Sequence, residues 1–185
     1  RQYKAYGESV ICFLDEPILS GFGSSTYVSV TREDVIAKLG ECIEAIRTEG
    51  GIPGIHCCGN TEWSIPIDAG ADIVNFDAFD FGESIALYPE AVKRHLESGK
   101  VLAWGIVPTN SQKVQEQTLE RLLTKFDVLV DNLAQKAGID RDLILRQALV
   151  TPSCGTGSIP VEDAERVYML LGQVSSALRQ RMGVA

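Results

Sequence analysis

The sequence predicts an α/β fold built around a parallel sheet, and three observations carry this prediction. Short runs of apolar, often β-branched residues alternate five times with longer amphipathic segments, which is the pattern of repeated βα units. The five runs are apolar almost throughout, as expected of strands that are buried on both faces. Each run ends in polar or metal-capable residues, and in parallel α/β folds the functional groups lie at this end of the strands.

The individual elements follow from the same periodicity. The predicted strands are 9–17, 51–59, 71–79, 101–109 and 148–157. The predicted helical segments are 29–51, a short piece at 61–70, 82–100 with a break at a proline, 111–138, a short piece at 140–147, and 160–183. Thr31 and Asp34 form a weak capping box for the first long helix, and Pro160 opens the last one.

The absence of a glycine-rich phosphate loop after any strand favours a barrel over a doubly wound sheet, which is the alternative. A (β/α)8 barrel of the TIM type typically has about 250 residues, whereas this chain has 185. We therefore expect one domain, residues 1–185, that corresponds to about the C-terminal five βα units of a TIM-type barrel.

The net charge and the cysteine content limit the classes of partner and the cellular location that we expect. The net charge of −8 and the pI of about 4.8 argue against nucleic acid or an anionic membrane surface as a partner. No apolar run approaches the roughly 18–20 residues of a membrane span. The five cysteines are irregularly spaced and odd in number, and the N-terminus shows no signal-peptide pattern. We therefore expect a cytoplasmic protein that keeps its thiols reduced.

The segment "GIPGIHCCGN" carries the chemistry that points to a metal. Residues i and i+2 of a strand share a face, so His56 and Cys58 point one way and Cys57 the other. An imidazole and a thiolate that converge form half of a zinc site, and Cys154 and Asp77 lie at other strand ends from which they could complete it. From spacing alone the alternative stays open that the cysteines pack as small hydrophobes and the histidine is simply hydrogen-bonded.

Five segments occur in the order "VICFLDEPIL", "GIPGIHCCGNTE", "GADIVNFDAFD", "VLAWGIVPT" and "LVTPSCGTGS". As a set they resemble the C-terminal catalytic barrel of cobalamin-independent methionine synthase. They also resemble its relatives in the uroporphyrinogen decarboxylase superfamily, among them the zinc methyltransferases that move methyl groups between corrinoids and thiols.

The resemblance implies roles for particular residues. His56, Cys58 and Cys154 match the zinc ligands of the family, and Asp77 stands where methionine synthases place a glutamate on the metal. Asp15 matches the acid that contacts the amino group of homocysteine. With Glu16, which follows it, it forms the candidate catalytic pair.

The chain departs from the family pattern in two further places. Thr109 occupies the region where methionine synthases have a histidine, and we expect it to contact the substrate instead. The first barrel strands of the family have no counterpart in this sequence.

The resemblance implies a zinc-dependent methyltransferase whose acceptor is a thiol such as homocysteine and whose donor is a methylated corrinoid, bound to a corrinoid protein, or a methyl-folate. Two alternatives remain at this stage. One is a metal-free decarboxylase-like enzyme that acts on a tetrapyrrole. The other is a non-catalytic half-barrel that docks a corrinoid protein.

Overall fold

The computed structural model describes residues 5, 7, 9–23 and 29–183. At its centre lies a sheet of five parallel strands: β1 (Val10–Asp15), β2 (Gly51–Cys57), β3 (Ile73–Phe76), β4 (Val101–Val107) and β5 (Ala148–Pro152). All five predicted strands are present, and each is shorter than its predicted range. Asp15 and His56 stay within their strands, whereas Cys58, Asp77, Thr109 and Cys154 lie in the loops that follow the strand ends.

Helices separate the strands along the chain. They are α1 (Arg32–Thr48), α2 (Ser64–Asp68), α3 (Ala78–Phe81), α4 (Pro89–Glu97), α5 (Ser111–Gln115), α6 (Leu119–Ala137), α7 (Arg141–Arg146) and α8 (Val161–Arg181). Two 3-10 helices cover Pro17–Gly21 and Gly82–Leu87. The predicted capping box of α1 is confirmed, because the Thr31 side chain accepts from the Asp34 amide and the Asp34 carboxylate accepts from the Thr31 amide.

The predicted helix over 111–138 is instead two helices, α5 and α6. The first helix ends at Gln115, and Thr118 then caps the second: its backbone is extended and its side chain accepts a hydrogen bond from the Arg121 amide. A threonine in this role starts a new helix rather than continuing the old one. The periodicity of the apolar residues carries no sign of this break.

The strands lie in the order β1-β2-β3-β4-β5, so each new strand adds to the same side of the sheet. A doubly wound sheet reverses the direction of strand addition at a switch point, and this sheet has none within the described residues. The strand order of the described residues therefore favours the barrel over the doubly wound alternative. The sequential order is consistent with part of a TIM-type barrel.

The hydrophobic core lies between the helices and one face of the sheet. A row of aromatic rings runs through it from Trp63 to Phe76, Trp104 and Phe126, with centroid separations of 5.6, 5.1 and 5.4 Å. All four side chains are fully buried. Such tilted and edge-to-face contacts add to the free energy gained by burying apolar area.

The opposite face of the sheet, which we call the open face, is apolar and partly exposed. The strand register places Ile11, Phe13, Ile52 and Leu149 on it, and their side chains are 38–48% exposed. Phe13 lies across Gly54, where a β-carbon would come within 2.4 Å of its ring. No helix in the described part of the chain is long and apolar enough to cross a lipid bilayer.

Candidate metal centre

Three ligand-capable side chains converge at the carboxyl edge of the sheet. His56 is near the end of β2, Cys58 follows that strand, and Cys154 lies two residues beyond β5. One ligand atom from each lies within 4.8 Å of the other two, so the group could hold a metal ion. Strand alternation predicts that His56 and Cys58 share a face. The parallel sheet brings Cys154 to them, although it lies almost a hundred residues further along the chain.

The donor set fits a tetrahedral divalent ion with little rearrangement. Zinc bonds of about 2.3 Å to sulfur and about 2.0–2.1 Å to nitrogen place neighbouring ligand atoms about 3.6–3.8 Å apart in a tetrahedron. In the protein the three ligand atoms lie at most 4.8 Å apart, so no pair has to move closer by more than about 1 Å to bind the ion. Side-chain rotations of the half-buried Cys58 and the exposed Cys154 can supply that movement.

Cys57 lies outside this group, as the alternation of strand side chains predicts. Its side chain is completely buried in the hydrophobic core, and its thiol donates to the Gly59 carbonyl across 3.5 Å. Burial raises the pKa of the Cys57 thiol. Two adjacent cysteines therefore have different environments, one packed against helices and one at the candidate site.

The position of Cys154 depends on a close approach of β5 to β4. The strand pairing shifts register between Gly105 and Val107, and the Ser153 amide then donates to the Val107 carbonyl across 2.8 Å. A β-carbon at residue 105 would lie 2.6 Å from the Phe76 carbonyl oxygen and 2.8 Å from the Ser153 α-carbon. Only glycine permits this approach, which sets where the chain turns to present Cys154.

A pocket of about 350 Å³ opens beside the two site cysteines. Its wall is largely polar and includes Asp77, Asp80, Pro108, Thr109, Asn110, Ser111, Lys113, Ser153, Ser158 and Ile159. At the rim, the Lys113 ammonium lies 2.6 Å from both carboxylate oxygens of Asp80. Burial and the neighbouring Cys154 thiol raise the pKa of Cys58, which lines the same pocket.

Asp77 lines this pocket but is not one of the three converging residues. Its carboxylate caps α3 by accepting from the Asp80 amide across 2.9 Å. Only 7% of the residue is exposed, and burial raises its pKa from 3.8 to about 6. One carboxylate oxygen thus has a structural partner, and ligation of a metal by the other oxygen stays a prediction.

The acidic pair at the end of β1 divides between two environments. Asp15 is exposed, and the register pairs it with His56 on the open face. The Glu16 amide donates to the His56 carbonyl across 2.8 Å, and the residue lines a separate apolar pocket with Leu19 and Phe22. Asp15 is therefore beside the metal group, whereas Glu16 borders a different pocket, and their catalytic roles stay predictions.

Thr109 lines the pocket next to the site cysteines. Its amide donates to the Ser153 hydroxyl across 3.2 Å, and the two hydroxyl oxygens are also 3.2 Å apart. Ser153 precedes Cys154, so these contacts hold the loop after β4 against the loop after β5. A substrate contact by Thr109 stays a prediction.

Sequence reasoning missed several polar residues of this region, among them Asn75 and Lys113. Asn75 lies on β3 two residues before Asp77, so the same alternation that selected His56 and Cys58 indicates that it shares the face of Asp77. Lys113 lies in a short helix with no motif around it, and nothing in the sequence pairs it with Asp80. Comparison with known proteins adds no further residue: no protein-family model matches the chain, and no curated protein matches it.

Proposed function

We propose that this chain belongs to a zinc-dependent methyltransferase that transfers a methyl group to a thiol such as homocysteine. The observation that carries the proposal is the convergence of His56, Cys58 and Cys154 beside a polar pocket. Three protein ligands with a fourth position open to substrate is the arrangement typical of catalytic zinc. The order of the family-like segments along the chain supports the same assignment.

Zinc is the metal that the donor set favours. Two thiolates and one imidazole are soft and borderline ligands, which suit zinc better than magnesium, calcium or manganese. The two thiolate charges would also neutralise a divalent ion, so the ion and its three protein ligands together would carry no net charge at this half-buried site. Zinc bound here would lower the pKa of an added thiol and so supply the thiolate nucleophile at neutral pH.

The protein's own groups would hold and orient the acceptor. The pocket beside Cys58 and Cys154 would accommodate a small thiol, and the carboxylate of Asp15, which the register pairs with His56, would bind a substrate ammonium group. In the reaction, the acceptor sulfur forms a bond to the methyl carbon as the bond between that carbon and the donor breaks. The electron pair of the broken bond leaves with the donor, a methylated corrinoid or a methyl-folate, and the proton of the thiol passes to solvent.

We also propose that the sheet is five-eighths of a TIM-type barrel wall. Its sequential parallel order supports this, because barrel strands are added one after another around the wall. The exposed apolar side chains of the open face support it as well, since the inner face of such a wall is normally filled by layers of branched side chains. Three further βα units would cover that face.

The decisive experiment measures bound zinc in purified, reduced protein and in matched cysteine variants. We expect about one zinc per chain in the wild type and its loss in Cys58→Ser and Cys154→Ser, because a hydroxyl is a far poorer zinc ligand than a thiolate. Cys57→Ser and Cys42→Ser are controls that change the same atom away from the site, and both are expected to keep the metal. Absence of zinc from the wild type, or loss through Cys57 rather than Cys58, contradicts the proposed site.

A second measurement tests the reaction. The zinc-loaded protein is expected to transfer methyl from methylcobalamin or a methyl-folate to homocysteine, and a chelator should abolish that transfer. Among the described residues that line the pocket, Lys113 alone is basic and it is paired with Asp80, which disfavours a tetrapyrrole with many carboxylates. Decarboxylation without metal would establish that alternative, and zinc binding without turnover would favour the non-catalytic one.

A further inference from the structure

Asn75 makes three hydrogen bonds directly behind the candidate metal ligands. The register places it between His56 on β2 and Ala103 on β4, on the open face. Its Oδ1 lies 2.6 Å from the His56 Nδ1, and its Nδ2 lies 2.8 Å from the Ala103 carbonyl oxygen and 2.9 Å from the Thr151 hydroxyl. The side chain is 7% exposed, so water does not compete for these partners.

The orientation of the Asn75 amide follows from the chemistry of its partners. A carbonyl oxygen can only accept, so the group facing Ala103 must be the amide nitrogen. The amide oxygen then necessarily faces His56. Because that oxygen can only accept, the Nδ1 of His56 must carry a hydrogen and donate it.

From this we propose that Asn75 is a positioning residue that fixes His56 in the Nδ1–H tautomer and presents its Nε2 lone pair to the metal. The inference rests on the proposed metal site for its purpose, but the tautomer is a property of the protein without metal. A metal-bound histidine generally donates its second ring nitrogen to an acceptor, which fixes both tautomer and ring orientation. Here a neutral amide provides that acceptor, and two strands hold the amide in place.

The other histidine of the chain provides an internal reference. The Nε2 of His95 lies 3.0 Å from the Val101 carbonyl oxygen, which can only accept, so His95 must carry its hydrogen on Nε2. The two histidines are therefore assigned opposite tautomers in the same molecule. Long-range ¹H–¹⁵N NMR distinguishes a protonated from an unprotonated ring nitrogen and reads both histidines in one spectrum.

The first test is this spectrum of the reduced wild-type protein without metal, at a pH where His56 is neutral. We expect protonated Nδ1 for His56 and protonated Nε2 for His95. A protonated Nε2 on His56 overturns the inference. The result does not depend on whether the protein binds zinc, so failure of the inference and failure of the proposed function are separate outcomes.

The second test compares two variants of the same hydrogen-bond cluster. Asn75→Leu removes the acceptor of His56, whereas Thr151→Val removes only an acceptor of the amide and leaves Oδ1 facing Nδ1. We expect Asn75→Leu to lose the fixed tautomer and, in competition with a chromophoric chelator, to bind zinc about 10- to 100-fold more weakly. Thr151→Val is expected to keep the tautomer and to lose less than about threefold.

Equal effects of the two variants on both tautomer and zinc affinity would assign Asn75 to packing and overturn the positioning role. If Asn75→Leu does not fold, the wild-type spectrum still tests the inference, because a protonated Nε2 on His56 overturns it without any variant. A zinc-loaded wild type in which Nδ1 of His56 is the ligand likewise overturns the inference.

Discussion

The carboxyl group of Asp77 should make the stability of the metal-free protein depend on pH. Burial raises the pKa of Asp77 from 3.8 to about 6, because desolvation penalises the charged form. A shift of about two units corresponds to about 3 kcal/mol, at roughly 1.4 kcal/mol per unit. Asp77→Asn removes the charge and keeps an oxygen that can accept from the Asp80 amide, so it isolates the effect of ionisation.

The sign follows from the protons bound in each state. Between pH 3.8 and about 6 the unfolded chain has released the Asp77 proton while the folded chain still holds it. Stability contributed by this group is therefore fully present below pH 3.8 and is lost as the pH rises to about 6. The advantage of Asp77→Asn over the wild type is expected to be near zero at about pH 3 and to reach up to about 3 kcal/mol at about pH 8.

Urea unfolding of both proteins at several pH values, with chelator and reductant present, measures this difference. Asp15→Asn is the matched control, since it removes one negative charge from an exposed position at the same edge of the sheet. A constant difference between Asp77→Asn and the wild type at every pH contradicts the assigned cause. Lower stability of Asp77→Asn at pH 8 would instead show that the carboxylate cap outweighs desolvation. With zinc present, Asp77→Ala is expected to keep the metal but to hold it more weakly.

Two further predictions concern Gly105, which supports the site, and the buried His95, which bonds the first residue of β4 at the opposite end of the sheet. Gly105→Ala should destabilise the protein by about 1–3 kcal/mol and weaken zinc binding, because the new β-carbon meets backbone that carries Cys154; Gly155→Ala, where nothing lies within 4 Å, is the control for urea unfolding and zinc titration. His95 has its pKa lowered from 6.5 to about 4 by burial, so the stability it contributes above pH 6.5 should be lost as the pH falls to about 4, by about 3 kcal/mol in total. His95→Leu should remove that part of the pH dependence, and an unchanged pH profile of unfolding would contradict the assignment.

The strands and long helices could be predicted because their patterns are local and repeated. Apolar runs gave all five strands, and the pairing of Thr31 with Asp34 gave the start of α1. The boundary between α5 and α6 could not be predicted, because Thr118 occupies a position that is equally compatible with a continuous helix. The sequential strand order also could not be read from periodicity, which is the same for barrels and doubly wound sheets.

The candidate site was predictable to the extent that strand alternation determines it. His56, Cys58 and Cys57 lie where a period of two places them, and Cys154 joins the first two because parallel strands end at one edge. Strand alternation also separates Asp15 from Glu16, but the apolar pocket beside Glu16 depends on the 3-10 helix that follows β1, which the sequence did not indicate. The role of Asn75 depends on three partners on three strands, and no local pattern encodes such a set.

The open face of the sheet carries both candidate-site residues and exposed apolar side chains. The register places Asp15, His56 and Asn75 at its carboxyl end, and the exposed side chains of Phe13 and Ile52 lie nearer the start of β1 and β2. If further βα units cover the apolar part, they also form the remaining wall around the metal group and exclude water from it. A drier site strengthens the attraction between the thiolates and the metal, because the effective dielectric constant falls. Completion of the barrel and assembly of a reactive metal centre would then be one structural event.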